Sequence, residues 1–303
     1  MGSLRSTSSA RLLVCLTICF ELLTAVGAVI GGDNAPVGEF PHMALLGRPC
    51  SQPLRYSFTS DTGDCTEYDW FCGGSLISNR FVLTAAHCAH TEMQNPPTVV
   101  RLGEYDLNDG TEAPHQDFDV RAIVHHPGYN GIQTYNDIAL VELDRTVTFS
   151  RFIQPACLWP HDTIPDEAPL IATGWGKVGH YDKPATILQC VGIPIVSNSQ
   201  CNRLMMNLIN RRLRNGILPS QLCAGDPLGG KDTCEGDSGG PLQLVTPHEE
   251  GTPEAGLCRY QIVGVTSNGG ICGSANRPGI YTRVSAYVGW IEGVVWGKTP
   301  GAP

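Results

Sequence analysis

Basic residues are scarce in this 303-residue chain: 20 Lys and Arg stand against 29 Asp and Glu, for a formal net charge of −9. Nucleic-acid binding needs a basic face, so that class is disfavoured. An acidic surface suits cationic substrates or partners. Long apolar runs are lacking too. The one stretch of note, Leu12–Phe20, is ended by Glu21 and is too short to cross a bilayer, so no membrane span is expected. There is no Asn-x-Ser/Thr glycosylation acceptor, no short-period repeat and no long helical periodicity. No Lys or Arg occurs between Arg11 and Val29.

What is present points outside the cell. Arg5 and Arg11 precede the apolar run, and the small residues Val26-Gly27-Ala28 follow it. This pattern is a secretory signal peptide over residues 1–28. Thirteen cysteines imply an oxidising compartment. The hydrophobic share of 42% suffices for one large domain or two small ones.

The chain is organised around Cys234-Glu235-Gly236-Asp237-Ser238-Gly239-Gly240-Pro241-Leu242. Glycines flanking a serine let the backbone turn left-handed and bring N–H groups close to a substrate. The N–H groups of Gly236 and Ser238 are the expected oxyanion-hole donors for a carbonyl attacked by Ser238. Asp237 needs a cation partner if buried, because an unpaired buried charge is costly. A serine hydroxyl is a weak nucleophile and needs a base, and the base needs an orienting group. Leu83–Cys88 supplies His87 after an apolar run, and Tyr135–Val141 supplies Asp137 at the mouth of a strand. His, Asp, Ser is one of the known chain orders of such a triad.

On these three motifs the sequence resembles the trypsin/chymotrypsin family of serine endopeptidases from Val29 to about Trp296. The resemblance implies that Ser238 attacks, His87 moves the proton, and Asp137 holds the imidazole and stabilises its cation. Val29-Ile30-Gly31-Gly32 resembles the mature N-terminus, whose α-amino group would pair with Asp237. The family is normally released by cutting after a basic residue, whereas residue 28 is Ala. The expectation is that signal peptidase frees Val29; the alternative is an upstream activation segment missing from the sequence.

Short β-branched runs separated by Gly, Pro and Asn turns fit an all-β fold. The implied architecture is two six-stranded antiparallel β-barrels with the active site between them. The peptidase domain runs over residues 29–297: an N-terminal barrel at about 40–150, a C-terminal barrel at about 170–282, a C-terminal helix at about 283–296 and a tail at 298–303. Val284, Tyr287, Val288, Ile291 and Val295 recur at helical spacing. Ser199–Asn210 reads as a short surface helix. Arg211, Arg212 and Arg214 follow as a solvated basic edge, an exosite or a self-cleavage point.

Asp232, six residues before Ser238, matches the Asp at the base of the trypsin specificity pocket. Gly269 and Gly279 match its glycine walls, which implies cleavage after Arg or Lys. Ser267 is expected to pair its backbone with the substrate strand. Asn268 stands where most members carry a large aromatic, so extended specificity should differ. Glu104, Asp106 and Glu112 lie in a loop that binds Ca²⁺ in some members, although a distal acidic ligand is replaced near His115. No cofactor is required.

The resemblance also implies bridges Cys72–Cys88, Cys201–Cys223 and Cys234–Cys272. Cys50, Cys65, Cys157, Cys190 and Cys258 remain open; Cys50–Cys65 is one candidate clip, and Ala35 is expected opposite Cys190. Leu170 and Leu244, where another family bridge would be, should pack together. Glu39–Leu46, Arg101–Tyr105 and Lys231–Leu242 look most like the catalytic domains of arthropod clip-domain proteases. The implied partners are protein substrates and inhibitors such as serpins, with a place in an innate-immune cascade. The rival is a non-catalytic protease homologue that acts as a binding regulator.

Overall fold

The computed structural model describes residues 30–50, 67–89, 96–165, 169–179, 182–206, 212–246, 259–269 and 272–298. The expected signal peptide, Val29, Cys65, Cys258 and Arg211 lie outside them.

The first half is a closed antiparallel barrel. Its strands are β2 (Met43–Pro49), β3 (Tyr68–Leu76), β4 (Phe81–Thr84), β5 (Val99–Leu102), β6 (Gln116–His125) and β7 (Ala139–Leu143), in the order β2-β3-β4-β7-β6-β5. Met43 to Leu46 are buried on both faces of β2, because one side meets the barrel core and the other meets the second half. The β3–β4 hairpin turns at Ser78, whose hydroxyl accepts from the Arg80 and Phe81 N–H groups. Such a side-chain turn is what Ser offers a tight connection.

A nine-stranded sheet forms the second half. Besides β1 (Asp33–Asn34) and β8 (Cys157–Leu158) it holds β9 (Leu170–Gly174), β10 (Gln189–Ile193), β11 (Ile195–Val196), β12 (Gln221–Ala224), β13 (Pro241–Val245), β14 (Tyr260–Asn268) and β15 (Gly279–Arg283). Its ladder runs β1-β10-β9-β13-β14-β15-β12-β11 and does not close as the first one does. The break falls at Pro194, which has no N–H to give. Ile193 pairs with Leu170 on β9, while Ile195 pairs with Ala224 on β12. Taken as one strand bent at Pro194, β10–β11 joins the two ends of a six-stranded set. The expected second β-domain is therefore present as a half-barrel sheet, bent at Pro194.

Helices are few. One turn, α1 (Ala86–Ala89), follows β4. Helix α2 (Asn198–Met205) is capped by Ser197, whose hydroxyl accepts from Gln200 N–H. The chain closes with a 3-10 turn, Val284–Tyr287, and α3 (Val288–Trp296). Val284, Tyr287 and Ile291 are buried, and Val288 and Val295 pack against the core, as their spacing requires. Gly297 ends α3 at φ 66°, and its N–H donates to Glu292 O.

The three expected disulfides are formed: Cys72–Cys88, Cys201–Cys223 and Cys234–Cys272. Cys50 and Cys157 are also disulfide-bonded. Leu170 and Leu244 are direct cross-strand partners in one apolar cluster. Opposite Cys190 stands Asp33, not the anticipated Ala35, because β1 pairs two residues earlier and Ala35 donates its N–H to Leu188 O.

Candidate active site

The site lies where the two halves meet. Gly73 of β3 donates its N–H to Ser238 O at 2.7 Å, and a Cβ on Gly73 would fall 3.2 Å from the Gly240 Cα. Only glycine lets β3 approach the serine loop so closely. Three chain segments far apart in sequence then converge on a cavity of about 560 Å³ lined by His87, Asp137 and Ser238 among others.

His87 sits on the single turn α1, which is anchored by fully buried Ala85 and Ala86 and by the Cys72–Cys88 bridge to β3. Its backbone N–H donates to Asp137 Oδ1 at 2.8 Å, and its ring Nδ1 lies 2.7 Å from Asp137 Oδ2. With Nδ1 as donor, Nε2 is left as the proton acceptor. Asp137 is 2% exposed and also accepts from the Ser267 hydroxyl. Thr282 Oγ1 donates to the Asp137 carbonyl at 2.8 Å. Asn136, just before it, holds φ 53°, and its side chain bonds Gly128 O and the Tyr287 hydroxyl. Asn tolerates this left-handed conformation better than most residues.

Burial opposes ionisation of Asp137, but the His87 charge and the His87 and Ser267 hydrogen bonds outweigh it, so the carboxyl sits below its ordinary range. Burial likewise works against a charged His87, and the Asp137 carboxylate outweighs it, lifting the imidazole above 6.5. The pair therefore stabilises an imidazolium. The Ser238 hydroxyl lines the same cavity and makes no hydrogen bond to His87. Such contacts tighten in complexes and are often long without substrate.

Around Ser238 the backbone turns as the glycines predicted. Gly236 has φ 102° and Gly239 φ 79°, and a Cβ on Gly236 would fall 2.8 Å from the Gly176 Cα. The Asp237, Gly239 and Gly240 N–H groups have internal acceptors, while those of Gly236 and Ser238 have none among the described residues. Asp237 is 1% exposed, and its carboxylate accepts from Gly176 N–H at 2.9 Å and Cys234 N–H at 2.8 Å. No cation among the described residues meets it. Burial, against those two bonds, pushes its carboxyl up to about 6. Ile30, the first described residue, bridges to Asp232, whose N–H donates to Ile30 O.

Asp232 is 3% exposed. It is not itself among the residues lining the cavity, although its chain neighbours Thr233 and Cys234 are. Oδ2 accepts from Gly273 N–H at 3.1 Å, and Oδ1 has no hydrogen-bond partner among the described residues. Burial pushes this carboxyl up to about 7. A Cβ on Gly269 would meet only the Gly279 Cα, at 3.9 Å, and one on Gly279 would fall 3.1 Å from Asp232 Oδ1. Ser267, Asn268 and Gly269 line the cavity.

The acidic loop is built differently from a metal site. Glu104 is 7% exposed. One of its oxygens accepts from Tyr105 N–H, and the other from Arg101 at 3.2 Å, with His115 Nδ1 3.5 Å away. Asp106 accepts from Asn108 N–H, and Glu112 is exposed. Ca²⁺ wants six to eight oxygens and no adjoining cation. The residues present do not fit it.

The trypsin family profile matches residues 29–291. The chain belongs to the trypsin family. Among its relatives, serine protease snk of Drosophila melanogaster is 39% identical over 91% of this chain, which spans 59% of that protein. Clotting factor G beta subunit of Tachypleus tridentatus is 37% identical over 84% of the chain and 81% of its own length. CLIP domain-containing serine protease B10 of Anopheles gambiae is 35% identical over 89% of the chain and 70% of its own length. This trypsin-family chain thus groups with arthropod clip-domain proteases, as three of its stretches suggested.

Several supporting residues were not foreseen. Thr282, Tyr287 and Asn136 brace Asp137 from elements up to 151 residues apart, and no local pattern marks them. Tyr129 lines the cavity from one loop; Arg212, already read as part of a basic edge, an exosite or a self-cleavage point, lines it from another. Ser267 was read for its backbone alone, yet its hydroxyl reaches Asp137.

Proposed function

We propose that this protein is a secreted serine endopeptidase that hydrolyses peptide bonds after arginine or lysine. Ser238 attacks the scissile carbonyl. His87 Nε2 takes the hydroxyl proton and later delivers it to the leaving amine, and Asp137 holds the imidazole and balances its charge. The oxyanion accepts from the Gly236 and Ser238 N–H groups. Water then releases the acyl group by the same proton path in reverse. The observation that carries this reading is a half-buried His87 held by the buried Asp137 and sharing one cavity with Ser238, whose own N–H and that of Gly236 have no acceptor among the described residues.

The specificity follows from Asp232. Its unpartnered oxygen, buried beyond two facing glycines, is offset by a substrate guanidinium or ammonium. The Ser267 backbone aligns the substrate strand. The amine of Val29 supplies the cation for Asp237, which the docking of Ile30 beside Asp232 supports. Arg101 takes the place of a metal beside Glu104 in the acidic loop, and the enzyme needs no cofactor. Relatives named for clotting and for a clip domain support an extracellular cascade role, with protein substrates and serpin-type inhibitors as partners.

Peptides differing only in Arg, Phe or Ala before the scissile bond test this directly, alongside fluorophosphonate labelling of Ser238. Labelling with arginine-selective cleavage is expected. Cleavage after Phe refutes the specificity, and the absence of both labelling and cleavage would leave a binding homologue.

A further inference from the structure

The carboxylate that orients His87 hangs from a strained piece of backbone. Asn136 holds φ 53°, and the Ile138 N–H donates to Asn136 O at 2.8 Å. That bond closes a three-residue turn with Asp137 at its centre. On its C-terminal side the turn runs into β7 at Ala139, and the Asp137 carbonyl accepts from Thr282 Oγ1. On its N-terminal side the backbone takes a conformation that a residue other than glycine keeps only when its surroundings hold it there.

The Asn136 side chain does the holding. Its Nδ2 donates to Gly128 O at 3.0 Å, and its Oδ1 accepts from the Tyr287 hydroxyl at 2.9 Å. Both partners are prepared for it. A Cβ on Gly128 would fall 2.8 Å from Asn136 Nδ2, so a larger residue there would push the amide out of place. The Gly128 N–H donates to His126 Nδ1 at 3.1 Å, and the His126 N–H donates to Ile138 O at 3.1 Å. The Gly128 loop is thereby tied to the far end of the same turn. Tyr287 is buried at the end of the 3-10 turn that leads into α3, edge-on to His126 at 5.0 Å. Its hydroxyl also faces Ser220, so the phenol keeps a partner when Asn136 is changed.

Neither Asn136 nor Tyr287 lines the cavity. Any effect they have on the reaction comes through Asp137.

We infer that Asn136 is a positioning residue for the catalytic pair: by bonding Gly128 and Tyr287 it aims Asp137 at His87, and it makes that aim depend on the docked C-terminal segment. The inference rests on the proposed serine-peptidase reading of the same site. Two hydrogen bonds together correspond to roughly a tenfold to hundredfold preference for the held turn. A carboxylate that leaves its place stops orienting the imidazole and stops favouring its charge. At His87 burial opposes the imidazolium, Asp137 favours it and Arg212 opposes it. Loss of the Asn136 bonds weakens the Asp137 contribution alone.

The test compares wild type with two variants of the secreted protein. Asn136→Gly keeps the backbone conformation accessible and removes both bonds; Tyr287→Phe removes one and keeps the buried ring. On an arginyl peptide kcat should fall about tenfold or more in Asn136→Gly and by less in Tyr287→Phe, with KM unchanged. The double variant should be no slower than Asn136→Gly, because the shared bond is already lost. The His87 imidazole, followed by NMR and resolved from His126, should titrate above 6.5 in wild type and closer to 6.5 in both variants. A merely structural role would lower the denaturation midpoint and leave that titration where it was. An unmoved His87 titration in either variant overturns the inference, as does an unchanged kcat in folded Asn136→Gly. Should Asn136→Gly not fold, Tyr287→Phe decides alone. Failure of wild type to cleave any arginyl peptide overturns the parent reading, and the His87 titration still decides this one.

Discussion

Replacing Asp232 with Asn should move two measurements in opposite directions. In the uncomplexed protein the Asp232 carboxyl is raised from 3.8 to about 7 by burial. Because the folded-state value lies above the unfolded one, this group's contribution to stability is complete below pH 3.8 and is lost as pH rises through about 7. By pH 8 the carboxylate costs about 4 kcal/mol relative to a neutral group. Asp232→Asn keeps the size and the acceptor for Gly273 N–H but abolishes that cost. Urea denaturation at pH 8 should therefore show the variant more stable than wild type, by up to about 4 kcal/mol, with the difference vanishing near pH 4. Turnover goes the other way. Removing one partner of a buried charge pair costs about 3–5 kcal/mol, so kcat/KM on arginyl peptides should fall by about two to four orders of magnitude. If the variant cleaves arginyl peptides as well as wild type does, or gains no stability at pH 8, the placement of the specificity charge is wrong.

The pH profile separates two groups. His87 must be neutral to accept a proton, and it titrates above 6.5, so kcat should fall as pH drops through a midpoint above that value. In kcat/KM, which reports the free enzyme, Asp232 at about 7 adds to the same limb, and Asp232→Asn should remove that part. A kcat midpoint well below 6.5 contradicts the His87–Asp137 arrangement. A form carrying one extra residue before Val29 leaves Asp237 without its cation. Moving that carboxyl from 3.8 to about 6 corresponds to about 3 kcal/mol. Such a form should lose roughly this stability as pH rises from about 3.8 through about 6, along with activity, and equal denaturation curves for the two forms at pH 8 would dismiss the pairing. Chelation with EDTA should leave both Tm and turnover unchanged, whereas a Ca²⁺-dependent rise in Tm would contradict the reading of Glu104, Arg101 and His115.

The parts of this site that could be read in the sequence are those whose chemistry is local. Gly236 and Gly239 adopt the left-handed turns that glycine spacing around Ser238 announced. The pattern Val284, Tyr287, Ile291 announced its own buried face. Motif order suggested one reaction for His87, Asp137 and Ser238, and these residues of three distant segments line one cavity. Residues whose role comes from tertiary contact were invisible. Thr282 supports Asp137 from 145 positions away, and threonine in a strand looks the same with or without such a task. The bend at Pro194 was written in the sequence, but its consequence for barrel closure depends on which strands flank it. The register that sets Asp33 opposite Cys190 is fixed by pairing with β10 and has no local signature.

The account stands on a hydroxyl activated by the His87–Asp137 pair. Its most direct measurement is the hydrolysis of an arginyl peptide by Ser238→Ala beside wild type, with folding of both verified by denaturation. The predicted result is an unchanged denaturation midpoint and a loss of kcat of about ten-thousandfold or more. Undiminished turnover by the folded Ser238→Ala protein would contradict the mechanism outright.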